Sequence, residues 1–309
     1  MMNKKDEIQK KPIVIAGNGP SLAQIDYRRL PADFDVFRCN QFYFEDKYFL
    51  GRRVTGAFLN PNVAQQQYFN FKMLQESKDY IIDQKYLVST IPDPESELNF
   101  PGAKNIFYLL ETMPQFHELQ KFLAFYYQKY FTSSIYMLIT ALALGYREIY
   151  LVGLDFYQGG GVNYAFDTEK PRLLELMPNM KKQNFQDPRH GKDIDLMGLN
   201  LAKQMPDVHL YCISETGCLK DYLPLADVRN QNPMTPEDKD PDAIKDFLPL
   251  PPRYTGGKVT NLFQFLGLLH EYEALKQTFL GQVIRDLWVI AQSVMKILIG
   301  LLRRLLRIR

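Results

Sequence analysis

The chain has 309 residues, of which 46% are hydrophobic and 13% aromatic, so it can bury a sizeable core in one large domain or two ordinary ones. Its 37 basic and 35 acidic residues leave a formal net charge of +2, which excludes a protein that binds nucleic acid through its overall charge. The three cysteines, Cys39, Cys212 and Cys218, are odd in number and lack C-x-x-C spacing, which argues against a disulfide framework and a zinc site and indicates a reducing compartment.

The first segment, MMNKKDEIQKKP, is charged throughout and leads directly into an apolar run. It lacks the apolar stretch that a secretory signal requires, which predicts a cytoplasmic location. Elsewhere no window approaches the roughly 18 uncharged apolar residues of a membrane-spanning helix, because the longest candidate is interrupted at Lys296. We therefore do not expect the chain to span a bilayer.

Short apolar runs of strand type alternate with helical patterns, which predicts an α/β fold with a mainly parallel sheet over residues 1–219. Apolar residues three and four apart predict the helices that cover this sheet. The predicted strands lie at 13–16, 35–38, 56–59, 80–88, 148–152 and 208–213, and the predicted helices at 21–30, 63–76, 115–127 and 133–144.

The first strand, IVIA, runs into Gly17-Asn18-Gly19-Pro20-Ser21. This turn is not the dinucleotide fingerprint G-x-G-x-x-G, because Leu22 stands where the third glycine belongs. Gly17 and Gly19 would let the backbone approach a ligand closely, while Asn18 supplies a polar contact. A helix starting near Pro20 would point its N-terminus at that ligand.

Polar residues follow the ends of four predicted strands, namely Asn18, Asn40, Asn60 and Asp155. The carboxyl ends of parallel strands meet at one edge of a sheet, where ligands of such folds bind. An amide both donates and accepts hydrogen bonds and so suits sugar hydroxyls, a pyrimidine edge or a phosphate. A single Asn in such a place is more often a turn residue, but three together favour a binding site.

Two further stretches offer hydroxyl groups. In FTSSIY, Thr132 and Ser133 stand at a helix start, where they either cap the helix or bind an anion. In GLDFYQGGGVNYAFD, Tyr157 and Tyr164 flank a glycine-rich loop, so their hydroxyls either close over a phosphate or simply pack against the loop.

His190 lies in the polar segment QNFQDPRHGKDID and suits a base that titrates near neutral pH, although a lone histidine in a loop is more often exposed and idle. Asp193 and Asp195 form a D-x-D pair, the spacing that holds a divalent metal in many nucleotide-sugar transferases. Such pairs arise easily in acidic loops, and we assign no metal on this one.

Residues 220–258 are rich in Pro and Asp, which predicts an extended linker, and residues 259–309 regain helical character. At 100° per residue the cations of the last part fall on one side and its leucines on the other. Such a basic amphipathic helix, over 279–309, predicts attachment to a membrane surface. The alternatives are a helix packed on the core and a contact between subunits.

The stretch IAGNGPSLAQIDYRRLPADFDVFRCNQFYFEDKYFLG, continued by TGAFLNP and resumed at FTSSIYMLITALALGYREIYLVGLDFYQGGGVNYAFDT, resembles the bacterial lipooligosaccharide sialyltransferases of glycosyltransferase family 42, the Campylobacter-type alpha-2,3/alpha-2,8 enzymes. The resemblance covers most of residues 12–215. It implies one Rossmann-type domain, a GT-A-like variant, with a small lid at about 155–190.

The resemblance also implies the reaction. Sialic acid would move with inversion from CMP-sialic acid to a galactose- or sialic-acid-terminated lipooligosaccharide, without a metal or other cofactor. The enzyme would be a homo-oligomer, a tetramer in this family, and its C-terminal helix would hold it on the inner face of the cytoplasmic membrane.

Residue by residue, His190 aligns with the general base, and Tyr157 and Tyr164 with the groups that stabilise the departing phosphate. Gln41 and Tyr130 are the expected acceptor contacts, although the family has an Arg at the position of Tyr130. The donor would be bound by the residues at the strand ends and the helix start, namely Asn18, Gly19, Asn40, Asn60, Thr132, Ser133, Gly153 and Asp155.

Two other functions stay open on the residues alone. One is a Rossmann-type enzyme that uses NAD or S-adenosylmethionine, although the full glycine fingerprint is missing and Asn40 stands where a ribose-binding acid is expected. The other is a non-catalytic nucleotide-binding adaptor held at the membrane by its C-terminal helix.

Overall fold

The computed structural model describes residues 10–92, 96–156, 163–176, 189–240, 242–249 and 279–307. The chain divides into two compact units, Met1–Pro251 and Pro252–Arg309. The first unit contains the sheet and every residue that the sequence analysis assigns to the site.

A seven-stranded parallel sheet forms the centre of the first unit and confirms the α/β fold predicted from the sequence. Its strands are β1 (Ile13–Ala16), β2 (Asp35–Cys39), β4 (Arg53–Leu59), β5 (Ile81–Leu87), β6 (Ala103–Asn105), β7 (Glu148–Val152) and β8 (His209–Cys212). They lie in the order β6-β5-β4-β2-β1-β7-β8. A separate antiparallel pair joins β3 (Lys47–Tyr48) to β9 (Glu237–Asp238).

Strand β1 is the point at which the strand order reverses, with β2 on one side and β7 on the other. The register places Ala16, the last residue of β1, opposite Arg38 of β2 and Val152 of β7. The loops that follow these three strands therefore leave the sheet at one level. In open α/β sheets this switch point is where ligands bind.

The helices of the described residues are α1 (Ala64–Glu76), α2 (Ser96–Asn99), α3 (Phe107–Glu111), α4 (Pro114–Phe122), α5 (Ser133–Ala143), α6 (Pro171–Leu176), α7 (Lys192–Lys203) and α8 (Phe279–Arg307). The helix predicted over 21–30 is instead two 3-10 turns, Pro20–Gln24 and Tyr27–Arg29. The side chain of Asp26 accepts a hydrogen bond from the backbone N–H of Arg28, and this local bond starts a new turn where a continuous helix was expected. The helix predicted over 115–127 ends at Phe122 and continues as one π-helical turn, Leu123–Tyr127.

The core lies on both faces of the sheet, as expected for parallel strands. All four residues of β1 are buried. Ile13 and Ile15 belong to the cluster that contains the buried face of α5, whereas Val14 and Ala16 belong to the cluster on the opposite face. The loop that follows β1 therefore extends from a strand that is buried on both faces.

The described part of the Pro- and Asp-rich segment 220–258 lies against the α/β domain. The N–H of Cys212 donates to the carbonyl of Pro224 at 2.9 Å, and β9 pairs with β3. Phe247 is buried against the ring of Tyr43, with ring centroids 4.9 Å apart. The segment is therefore part of the first folded unit as far as residue 249.

Helix α8 belongs to the second unit and has 29 residues. Several of its apolar side chains are exposed, among them Leu287 (61%), Trp288 (64%) and Leu298 (48%). Among the helices of the described residues, α8 included, none combines the length and the apolar character that a membrane crossing requires.

Candidate functional site

The loops after β1 and β7 are packed directly on each other. The N–H of Gly17 donates to the carbonyl of Val152 and that of Gly19 to the carbonyl of Gly153, both at 2.9 Å. A Cβ atom on Gly17 would overlap the Gly153 carbonyl, and one on Gly19 would overlap the carboxylate of Asp155. Gly153 has φ +71°, a conformation that favours glycine. These glycines thus allow two loops to touch, a role different from the close ligand approach expected from the sequence.

Asn18 is fixed by neighbours on two sides. Its Nδ2 donates to the carbonyl of Cys39 at 3.1 Å, and its Oδ1 lies 3.4 Å from Nη2 of Arg38. Its own carbonyl accepts the N–H of Ala165 at 2.9 Å, which holds the segment of Tyr164 beside the end of β1. The Asn18 amide therefore stands at the switch point with a defined orientation.

Asn40 follows β2 in the left-handed conformation, with φ +55°. Its N–H donates to the carbonyl of Phe58 at 2.9 Å, so the turn is tied to β4. The Ser133 hydroxyl, in the first turn of α5, lies 3.5 Å from Asn40 Oδ1. The structure thus brings Asn40 and Ser133 together, and the Asn also has the turn role that was its alternative.

Asn60 has a turn role as well. Its Oδ1 accepts the N–H of Asn62 at 3.0 Å, and its own N–H donates to Oε1 of Gln67 at 2.7 Å. It follows β4, two strands from β1 in the sheet order. Gln41, expected at the acceptor, is 7% exposed, and its carbonyl accepts the N–H of Phe44 at 3.1 Å.

Thr132 is the N-cap residue of α5, but its side chain bonds to Asp195 and not to the helix backbone. Its N–H donates to Asp195 Oδ1 at 2.9 Å and its hydroxyl to Oδ2 at 2.8 Å. Asp195 lies in the first turn of α7 and is 3% exposed. Burial raises the pKa of this carboxyl to about 7, although the two hydrogen bonds act in the opposite direction.

Asp195 of the D-x-D pair therefore has a structural partner in Thr132, a role that the sequence did not reveal. Among the described residues, no group of three or more His, Cys, Asp or Glu side chains is arranged to hold a metal ion.

His190 is held against Tyr130 by two hydrogen bonds. Nδ1 of the imidazole lies 2.9 Å from the Tyr130 carbonyl, and the N–H of Tyr130 donates to the Arg189 carbonyl at 2.9 Å. A carbonyl can only accept, so Nδ1 carries the proton in the neutral ring. Nε2 is then the nitrogen that has a lone pair and can take up a proton.

Asp155 lies between the loop after β7 and the turn after β1. Its Oδ2 accepts both the N–H and the hydroxyl of Ser21, each at 2.9 Å, and the Ser21 hydroxyl in turn accepts the N–H of Gly153 at 3.0 Å. Burial raises the pKa of Asp155 against the effect of these hydrogen bonds. A cavity of about 320 Å³ adjoins this group and is lined by Pro20, Ser21, Gln24, Asp155, Thr216, Gly217 and Cys218.

Of the two tyrosines that flank the glycine-rich loop, only Tyr164 lies in the described residues. Tyr164 stacks on Phe166 with ring centroids 5.1 Å apart, whereas Tyr157 lies outside the described residues. The same holds for 157–162 and 177–188 of the lid predicted at 155–190. Within the described part of this lid, the segment 163–176 is attached to the rest of the domain by the ion pair of Lys170 with Asp46.

Comparisons with known proteins agree in pointing to one family. A family model described as Alpha-2,3-sialyltransferase (CST-I) matches residues 11–298. The structure is similar to the sialyltransferase CstII from Campylobacter jejuni in complex with the substrate analogue CMP-3FNeuAc, with 36% identity and a TM-score of 0.70 over 82% of this chain and 99% of that one. CstII has also been solved with a trisaccharide acceptor and CMP.

Two further relatives complete the comparison. The monofunctional alpha-2,3-sialyltransferase Cst-I from Campylobacter jejuni is 33% identical, with a TM-score of 0.71 over 88% of this chain and 100% of that one. An uncharacterized protein of Haemophilus influenzae strain Rd is 32% identical over 152 residues, which are 49% of this chain. The chain spans 65% of the length of that Haemophilus protein.

Proposed function

The chain belongs to the CST-I family of alpha-2,3-sialyltransferases, and from this premise we propose that it transfers sialic acid from CMP-sialic acid to a galactose- or sialic-acid-terminated lipooligosaccharide, with inversion and without a metal. The family and the glycosyltransferase class predicted from the sequence are confirmed, and a Rossmann-type enzyme that uses NAD or S-adenosylmethionine is set aside. The observation that carries the proposal is an imidazole with its proton fixed on Nδ1, held through Tyr130 two residues before the Thr132-Ser133 pair at the edge of the sheet.

The donor would be bound by neutral groups at the carboxyl edge of the sheet. Asn18, Asn40 and the Thr132-Ser133 pair supply amides and hydroxyls, which suit the sugar hydroxyls, pyrimidine edge and phosphate of CMP-sialic acid. The cavity beside Asp155 supports a further donor contact there, since a buried carboxylate accepts hydrogen bonds from hydroxyl groups. Gly19, Gly153 and Asn60 would then shape the loops around the nucleotide.

Chemistry would proceed in one displacement. Nε2 of His190 takes the proton of the acceptor hydroxyl while the hydroxyl oxygen forms a bond to the anomeric C2 of sialic acid. The bond from C2 to the phosphate oxygen breaks on the opposite face, and CMP leaves with that electron pair. The Tyr157 and Tyr164 hydroxyls would donate to the departing phosphate, where negative charge develops.

The acceptor would approach from the side of His190. Tyr130 holds the imidazole through its own backbone, so an acceptor bound against the Tyr130 side chain would bring its hydroxyl close to the base. Gln41, which directly follows Asn40, is the second proposed acceptor contact. In this arrangement acceptor choice and base position depend on one short segment.

Self-association is supported by an exposed aromatic surface at the end of α4. Phe122, Phe125, Tyr126 and Tyr127 are 48%, 80%, 59% and 58% exposed, and contiguous apolar surface of this kind is typical of contacts between proteins. We therefore infer a homo-oligomer, a tetramer by analogy with the family. Light scattering should give the mass of an oligomer for the wild type and a smaller mass for Phe125→Asp; a monomeric wild type would contradict the inference.

The exposed apolar residues of α8 support attachment to the inner face of the cytoplasmic membrane, where the glycolipid acceptor would also lie.

The activity itself is tested by incubating the protein with CMP-sialic acid and either a lactoside or a sialyllactoside, followed by determination of the product linkage. We expect CMP and a sialylated product in equal amounts. Binding of CMP without any product from either acceptor would instead favour the non-catalytic adaptor.

A further inference from the structure

We propose that the buried ion pair of Arg38 and Glu45 is a positioning device for the donor site, which fixes the side-chain amide of Asn18 in a single orientation. This inference rests on the proposed function, because it assigns to Asn18 the contact with the nucleotide sugar. Arg38 and Glu45 would themselves not touch the donor.

The pair is unusual for its place in the fold. Arg38 lies in β2, a central strand, and is 2% exposed, while Glu45 is 3% exposed. Nη1 of Arg38 donates to one carboxylate oxygen of Glu45 at 3.2 Å, and Nη2 donates to the other oxygen. Charged side chains are almost never fully buried unless they are paired, so this two-point contact is what allows Arg38 to stand beneath the site.

The same guanidinium group determines how the Asn18 amide points. Nη2 of Arg38 lies 3.4 Å from Asn18 Oδ1, and the Cys39 carbonyl lies 3.1 Å from Nδ2. A guanidinium can only donate and a carbonyl can only accept. Rotating the amide by 180° would place its NH2 group against the guanidinium and its oxygen against the carbonyl. Both contacts would then be repulsive, so one orientation is enforced.

The fixed amide presents a defined pattern to a ligand. An Asn side chain has two N–H groups and two oxygen lone pairs. Within the described part of the chain, Arg38 and Cys39 use one lone pair and one N–H, so one of each remains for the donor. Without Arg38 only the Cys39 carbonyl opposes rotation of the amide, so its orientation toward the donor would be held less firmly.

The loop that carries Glu45 is itself held by hydrogen bonds from Lys239. The backbone N–H of Lys239 donates to the Asp46 carbonyl at 2.8 Å, and its ammonium donates to the Tyr43 carbonyl at 2.9 Å. Lys239 also forms an ion pair with Asp79, at 3.7 Å, in which the Asp79 side chain is 16% exposed.

A double variant separates positioning from stability. Replacing both members of a buried ion pair by apolar residues of similar volume is often neutral for the fold, whereas removing one member leaves an unpaired buried charge. In the full chain, Arg38→Met with Glu45→Met should therefore unfold close to the wild-type temperature. We expect its KM for CMP-sialic acid and its Kd for CMP to rise on the order of tenfold or more, because a bond from a charged donor to Asn18 is lost.

The control and the second variant keep the outcome decisive. Arg53→Met with Asp83→Leu removes an ion pair near the start of β4 and β5, at the end of the sheet away from the site, and should leave the Kd for CMP unchanged. Arg38→Lys retains the charge opposite Glu45 but has no planar fork, so it should raise the Kd for CMP by a smaller factor. If the double variant does not fold, Arg38→Lys serves as the test in its place. A merely structural role would lower apparent kcat through a smaller folded fraction and leave KM unchanged.

The inference is overturned if the folded variants bind CMP like the wild type. A wild type that neither binds CMP nor releases it from CMP-sialic acid would instead contradict the proposed function, so the two failures are distinguishable.

Discussion

The proposed donor half and the proposed base half of the candidate site are built in different ways. The donor half, around Asn18 and Asn40, consists of loops that continue three paired strands, and its contacts run between neighbouring strands of one sheet. The base half, around His190, is assembled by bonds between the start of α5 and the start of α7, segments about sixty residues apart in the chain. Because the two halves share few supports, nucleotide binding and the chemical step should respond to different substitutions.

The largest expected effect is on the base half. His190→Ala should lower kcat by a factor of about 10² to 10⁴, the usual contribution of a general base, while the Kd for CMP stays at the wild-type value. Rates of CMP release and calorimetric titration with CMP measure the two quantities. His209→Ala, on an exposed histidine of β8, is the control and should change neither. Near-normal transfer by His190→Ala would remove His190 as the base.

Asp195, which bonds to Thr132 in the base half, should make the stability of the protein depend on pH. The pKa of Asp195 is raised from 3.8 to about 7 in the folded protein, so between these values the folded state keeps a proton that the unfolded state has released. Stability should therefore fall as pH rises through this window, by on the order of 4 kcal/mol relative to Asp195→Asn, which does not titrate. Urea unfolding of both proteins at pH 4, 5.5 and 7 measures the difference. Parallel profiles for the two proteins would show that Asp195 titrates normally.

The donor half should be sensitive to a single methyl group. Gly17→Ala places a Cβ atom against the Gly153 carbonyl, so the loops after β1 and β7 must move apart at a cost of about 1–3 kcal/mol in unfolding free energy. We expect weaker CMP binding by calorimetry with little change in kcat at saturating donor. A variant that loses kcat but binds CMP normally would erase the distinction between the halves.

The smallest effect on catalysis is expected from α8. Leu298→Asp introduces a charge among its exposed apolar residues and should reduce binding to anionic vesicles in a sedimentation assay, while transfer to a soluble lactoside is unchanged. Ser293→Asp adds the same charge to the face that the sequence pattern assigns to the polar side, and it should lose less binding. Equal binding by all three proteins would contradict the membrane role of α8.

The sequence predicted the sheet well because parallel strands buried on both faces are continuous apolar runs, as in Ile13–Ala16 and Glu148–Val152. It missed β6, because Ala103-Lys104-Asn105 is short and contains a charge. The helix predicted over 21–30 failed because periodicity does not register a side chain such as Asp26 that bonds to the backbone.

The position of Asn18 and Asn40 at the carboxyl edge of the sheet was predictable, because each directly follows an apolar strand or its turn. The partnership of Thr132 with Asp195 joins residues 63 positions apart and leaves no local pattern, so Asp195 was read only as half of a D-x-D pair. Arg38 was overlooked for a related reason. An arginine within an apolar strand usually marks an exposed edge, and only the sheet order shows that β2 is central.

The most direct test of the central claim is a crystal structure of the protein grown with CMP in the presence of EDTA. We expect the nucleotide at the carboxyl edge of β1, β2 and β7, with hydrogen bonds to Asn18 and Asn40 and with His190 on the side where an acceptor would enter. A nucleotide seated elsewhere, or one that binds only after a divalent cation is restored, would contradict the account.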